Sequence, residues 1–208
     1  MQQAIFDTYW HECSFVVVDV EGNGQTPQEI IELAIVPIVQ AHIVEPPREW
    51  LVRPSKPISQ MASKIHGIFD DDLKDKPAFE LIAHDVEQAL GQRSAVIGHN
   101  VAIDVRLLKV QLPSWRPIVA IDTLKLAKRV LPATNNYALS ALIADLGIGK
   151  DLYGGHHRAA HDSLATARLF LALVKILDKS GDLRLKALAE ISAPVDDPFF
   201  TDAQRSLF

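Results

Sequence analysis

The feature that most constrains the fold is a change of apolar period partway along the chain. Between residues 14 and 54 the sequence holds three β-rich runs, SFVVVDV (14–20), EIIELAIVPIV (29–39) and REWLVRP (48–54), the last broken upstream by Pro46 and Pro47. These predict three early strands arranged as a meander. From residue 77 onward strand and helix patterns alternate: helix 77–90, buried strand 95–100, helix 101–112, strand 117–122, then helices 123–131 and 138–147. The stretch 161–177 is apolar around most of its girth and predicts a long, well-buried helix. Five strands with interleaved helices predict an α/β domain over residues 1–178. Residues 179–208 predict a short helix at 183–191 and a mobile tail, because 192–208 carries two prolines, several acids and no period.

Composition narrows the function classes. A net charge of −5 excludes a broadly basic surface, so any contact with a polyanion must be local or assisted by metal. Cys13 is the single cysteine, which rules out an intrachain disulfide and a thiolate zinc cluster. The N-terminal stretch lacks a basic start followed by an apolar segment, and no apolar run reaches membrane-spanning length. The expected location is the cytoplasm.

Residues 16–24, VVVDVEGNG, pose a choice between a glycine loop for phosphate and a carboxylate pair for metal. Gly22 and Gly24 are followed by Gln25, Thr26 and Pro27, not by the further glycines and helix start that a phosphate loop requires. Side chains alternate along a strand, so Val16, Val18 and Val20 face one way, and Asp19 and Glu21 project together on the other. Like charges held that close repel, and a divalent cation with hard oxygen ligands relieves them. Two later stretches add to the pair. In GHNVAIDVRLL (98–108) Asn100 is placed to cap the following helix, which puts Asp104 in its first turn at the carboxyl edge of the sheet. In GGHHRAAHDSLATARLF (154–170) Asp162 lies near the start of the long helix, and His157 precedes it by five residues, just after two permissive glycines. Taken singly, each pattern also fits an ordinary solvated loop, cap or surface turn.

The ordered set Asp19-x-Glu21, Asp104 and His157-x-x-x-x-Asp162 resembles the three motifs of the DEDD exonucleases of the His subclass, the DnaQ-like 3′-to-5′ exonucleases. The resemblance runs over roughly residues 14–177, and HGI at 66–68, GHN at 98–100 and IDTLKLAKRVLP at 121–132 agree with it. It implies a ribonuclease H-like fold, with a five-stranded mixed sheet flanked by helices. It also implies two divalent cations, Mg²⁺ or Mn²⁺, held by the four carboxylates. In such a site two ions about 4 Å apart activate a water and stabilise the departing 3′ oxygen. By the same resemblance Asp19 bridges the ions, Glu21 and Asp162 hold the water-side ion, and Asp104 supports the other. His157 is the general base, since an imidazole, ordinarily titrating at about 6.5, takes a proton at neutral pH. His156 and His161 are its rivals, and the family spacing favours His157.

Substrate contacts implied by the resemblance fall on Gly22, Asn23, His66, Ile68 and Asn100. Many family members carry two threonines and a glycine after the motif glutamate. Here Gly22, Asn23 and Gly24 stand instead, keeping backbone contacts and losing hydroxyl ones. Asp70, Asp71 and Asp72 read as a solvated helix start. The expected substrate is a single-stranded 3′ end, hydrolysed to nucleoside 5′-monophosphates. The catalytic motifs do not separate DNA from RNA.

The chain ends in QRSLF (204–208), which resembles the short peptide by which bacterial replication and repair proteins bind the sliding clamp. Gln204 would supply hydrogen bonds, and Leu207 and Phe208 would fill an apolar pocket. Such a partner favours DNA. An exoribonuclease trimming RNA 3′ ends and a catalytically silent nucleic-acid or clamp-binding adaptor are the alternatives.

Overall fold

The computed structural model describes residues 5–91, 94–152, 155 and 157–192. The tail expected at 192–208, with Gln204, Leu207 and Phe208, lies outside the described residues beyond Ser192, and so does His156.

The sheet is built around β1 (Ser14–Gly22). On one side β1 pairs antiparallel with β2 (Ile30–Val39), and on the other it pairs parallel with β5 (Ala95–Gly98), which pairs parallel with β6 (Val119–Asp122). Two short strands, β3 (His42–Ile43) and β4 (Arg48–Leu51), both add antiparallel to the outer edge of β2. The early meander is therefore present, and the sheet has six strands, not five. The difference has a local cause: Pro46 and Pro47 lie between β3 and β4, and a proline has no N–H to give to a ladder.

Helices cover both faces. Against one face lie α3 (Phe79–Leu90) and α4 (Ala102–Gln111), whose Val86, Leu90, Val105 and Leu108 pack on Val16, Val18, Leu33, Ile35 and Val96. Against the other lie α5 (Thr123–Val130), α6 (Leu139–Asp145) and α7 (Ala159–Leu177). There Leu164, Leu169, Phe170 and Leu173 meet Phe15, Val17, Val36, Ile38, Ile97 and Ile121. A strand buried on both faces reads as a continuous apolar run, which is why alternation is faint in β1 and β2. The short α8 (Leu185–Ser192) contributes Leu185, Leu188 and Ala189 to that second core.

Two further helices cross the region between β4 and α3. Ser59 caps α1 (Gln60–His66) by accepting the Ala62 N–H, and Gly67 ends it at φ 71°. The next, α2 (Asp70–Leu73), begins with the exposed acids Asp70, Asp71 and Asp72. Asp72 Oδ2 accepts the Phe69 N–H at 2.8 Å and Asp70 Oδ1 that of Ile58 at 2.9 Å, as befits a helix start. No helix among the described residues is long and apolar enough to cross a membrane.

Candidate active site

The acids predicted from strand parity stand together at the end of β1, on the face covered by α7. Across the ladder Glu21 is the direct partner of Glu32 on β2, so the two side chains share that face. Asp104 sits in the first turn of α4 and is buried, and its Oδ1 accepts the backbone N–H of Val20 at 3.0 Å. Asp162, in the first turn of α7, accepts the backbone N–H of His157 on Oδ2 at 2.9 Å. Its Oδ1 lies 2.9 Å from Nδ1 of the buried His161. Ligand atoms of Glu21, His157 and Asp162 all lie within 4.8 Å of one another.

Electrostatics follow from this crowding. Burial, and then the charges of Asp104, Glu21, Asp162 and Glu32, push the Asp19 carboxyl well above its ordinary range. Glu21 is pushed up to about 8, by burial first and by Glu32, Asp162 and Asp104 next, with Arg158 pulling the other way. Asp104 is also raised to about 8, chiefly by burial, although the Val20 N–H favours its ionised form. Acids held this way strain against their own ionisation, and all their donor atoms are hard oxygens. The donor set therefore fits divalent cations of the Mg²⁺ or Mn²⁺ kind.

Asn23 is fully buried and braces its own loop: Oδ1 accepts the N–H groups of Gln25 and Glu29 at 3.2 and 3.0 Å. A Cβ on Gly22 would come within 1.9 Å of the Gln28 side chain, so the backbone there is closely covered. His66 and Ile68 are buried, and His66 Nδ1 accepts the Ile68 N–H at 3.1 Å. Burial lowers the His66 pKa against the pull of Glu32. The expected cap by Asn100 is not formed: α4 is led by Val101 and has no side-chain cap. Asn100 instead adopts φ 66°, a left-handed conformation that asparagine tolerates, and donates its backbone N–H to Asp122 Oδ1 at 2.9 Å. Asp122 Oδ1 also accepts the Leu124 N–H and so caps α5.

Sequence reasoning missed Glu32 and Arg158. Glu32 is fully buried on β2. Its Oε1 accepts from Arg158 Nε at 2.9 Å and from Nη2 at 2.6 Å, and its Oε2 accepts the Ala159 N–H at 2.8 Å. The available signal was a lone acid inside the apolar run 30–39 and an arginine directly after His157.

A mixed sheet in this order, flanked by helices on both faces, is of the ribonuclease H-like class, and the acids and His157 collect at the carboxyl end of its central strand. Comparison with known proteins agrees. Residues 16–170 match the family model described as Exonuclease. The chain is 33% identical over 201 residues to the PolC-type DNA polymerase III of Thermotoga petrophila, covering 92% of this chain and 14% of the polymerase. It is 32% identical to exonuclease X, solved in complex with 5′-overhanging duplex DNA, with a TM-score of 0.67 over 85% of this chain and 98% of that one. The nuclease domain of 3′hExo, a DEDDh family member solved with rAMP, shares the fold at 19% identity and a TM-score of 0.64, over 85% of this chain and 98% of that one. The chain belongs to the Exonuclease family and is homologous to DEDDh-type 3′-5′ exonucleases.

Proposed function

We propose that this chain removes nucleotides from single-stranded 3′ ends of DNA, releasing nucleoside 5′-monophosphates, with two divalent cations held by Asp19, Glu21, Asp104 and Asp162. The observation that carries this is the gathering of Glu21, His157 and Asp162 within 4.8 Å of one another, beside the raised carboxyls of Asp19 and Asp104. When bound, the cations supply an activated water and charge stabilisation on the leaving oxygen. The protein's own part is to hold the acids in place, to keep the site partly dry, and to present a base. His157 is exposed and anchored through its backbone to Asp162, which leaves its imidazole available to accept a proton. DNA is favoured over RNA because relatives at 30% identity or more are a DNA polymerase and an exonuclease solved on DNA. Gly22, Asn23, His66, Ile68 and Asn100 are assigned to the neighbourhood of the terminal nucleotides. The resemblance of residues 204–208 to a clamp-binding peptide adds a sliding clamp as partner, tested by deleting those five residues and measuring clamp binding.

The test is a time course on single-stranded DNA and matched RNA, labelled at the 5′ end, in Mg²⁺ or Mn²⁺. Stepwise shortening of DNA from its 3′ end is expected. Preference for RNA would favour the exoribonuclease reading, and cleavage of neither would favour the adaptor.

A further inference from the structure

His157 holds φ 61°, a left-handed conformation uncommon for residues with a Cβ, though histidine is among those that adopt it more often. Two contacts hold the backbone here. On its own side, the His157 N–H is tied to Asp162 Oδ2 at 2.9 Å. On the next residue, Arg158 is forked onto Glu32 Oε1, while Oε2 of the same carboxylate takes the first N–H of α7, that of Ala159. One side chain on β2 thus grips both the residue after His157 and the start of the helix that carries Asp162.

A carboxylate buried to 0% exposure and placed directly across the ladder from Glu21 is expensive by itself, since like charges opposite one another repel. The Arg158 guanidinium, with 41% of its side chain exposed, supplies the compensating charge in the two-pronged geometry that a lysine cannot reproduce. Glu49 on β4 lies 3.6 Å from the same guanidinium. Burial and the neighbouring Glu32 push the Glu49 pKa upward. Asp162 has independent support: α7 is anchored through Leu164, Ala165, Leu169 and Phe170 in the core. His157 has no such anchor, because it precedes the helix and is exposed.

We propose that Glu32 is a positioning residue that, through Arg158 and the Ala159 N–H, fixes the backbone of His157 so that its imidazole meets the acid cluster. The assignment rests on the nuclease reading above. Its consequence is a division of labour between the core packing of α7, which places a metal ligand, and the Glu32 clamp, which places the base.

The experiment compares Glu32→Gln and Arg158→Lys with wild type in three measurements. These are steady-state kinetics on a single-stranded DNA oligonucleotide in Mn²⁺, the thermal shift produced by Mn²⁺, and amide hydrogen exchange over residues 157–163. Glutamine keeps the shape but sets a donor where an acceptor is needed. Lysine keeps the charge but loses the fork and, lying at the exposed end, spares the fold. The expected result is a fall in kcat of about 10- to 100-fold with KM changed less than about threefold. The Mn²⁺ shift should be retained and exchange should quicken at Ala159. Unchanged kcat in both variants alongside an active wild type, or unchanged exchange, overturns the proposal. A wild type without turnover overturns the nuclease reading instead, and the exchange measurement then still decides the clamp.

Discussion

The backbone N–H of Val20, the residue between Asp19 and Glu21, donates to Oδ1 of Asp104 at 3.0 Å. One bond therefore joins the acid pair of the central strand to an acid that follows it by more than eighty residues, and it sets the spacing of the cluster. The bond stabilises the charged form of Asp104 in a place that otherwise disfavours it. Asp104→Asn keeps an acceptor for Val20 and removes the charge. The fold should persist in that variant while metal-dependent turnover falls by more than about tenfold. Asp104→Ala should also cost about 1–3 kcal/mol in urea unfolding, because a covered N–H is left unpaired.

The raised carboxyls predict an unusual pH dependence for the metal-free protein. Glu21 and Asp104 titrate at about 8 when folded, and Asp19 is raised well above its ordinary range. In the unfolded chain such groups titrate at about 4. Between these values the folded state binds more protons than the unfolded state, so its stability falls as pH rises through that window. Melting temperature in EDTA should decline from pH 5 to pH 8 by a larger margin in wild type than in Asp104→Asn. Mn²⁺ displaces those protons, and its stabilising shift should grow over the same range. Equal slopes in the two proteins would contradict the assignment.

His157→Ala tests the base directly. Turnover should fall by about 10²- to 10⁴-fold, while the Mn²⁺-induced thermal shift persists. A variant that retains wild-type kcat would move the role to another group.

Asp122 supports the loop ahead of Asp104 by accepting the Asn100 and Leu124 N–H groups, each at 2.9 Å. Asp122→Ala removes a helix cap and a buried acceptor together, and should destabilise the protein by about 1–3 kcal/mol in urea unfolding. A loss below about 0.5 kcal/mol would show that the loop holds its shape without it.

How far the sequence could be read depended on the range of the interaction. The placement of Asp19 and Glu21 on one face of a strand end was legible because strand parity is local, and that of Asp104 and Asp162 in first helical turns because a helix start is local. Joining the four acids into one site rested on the resemblance of the ordered motifs. The fold class followed from the switch of period near residue 77. The Asn100 cap misled because its backbone is drawn to Asp122, an acceptor in another strand end that nothing near Asn100 announces. Glu32 was read as part of a strand, since its partner Arg158 lies 126 positions away and only the folded sheet brings them together. The two residues of β3 carry too short a pattern to register as a strand beside a pair of prolines.

The most direct test of the account is the release of nucleoside 5′-monophosphate from single-stranded DNA as Mn²⁺ is added, in wild type and in Asp19→Ala. Wild type should release it in a saturable, metal-dependent manner, and the variant should release none. Equal release by both proteins, or release by wild type that ignores the metal, would contradict the account.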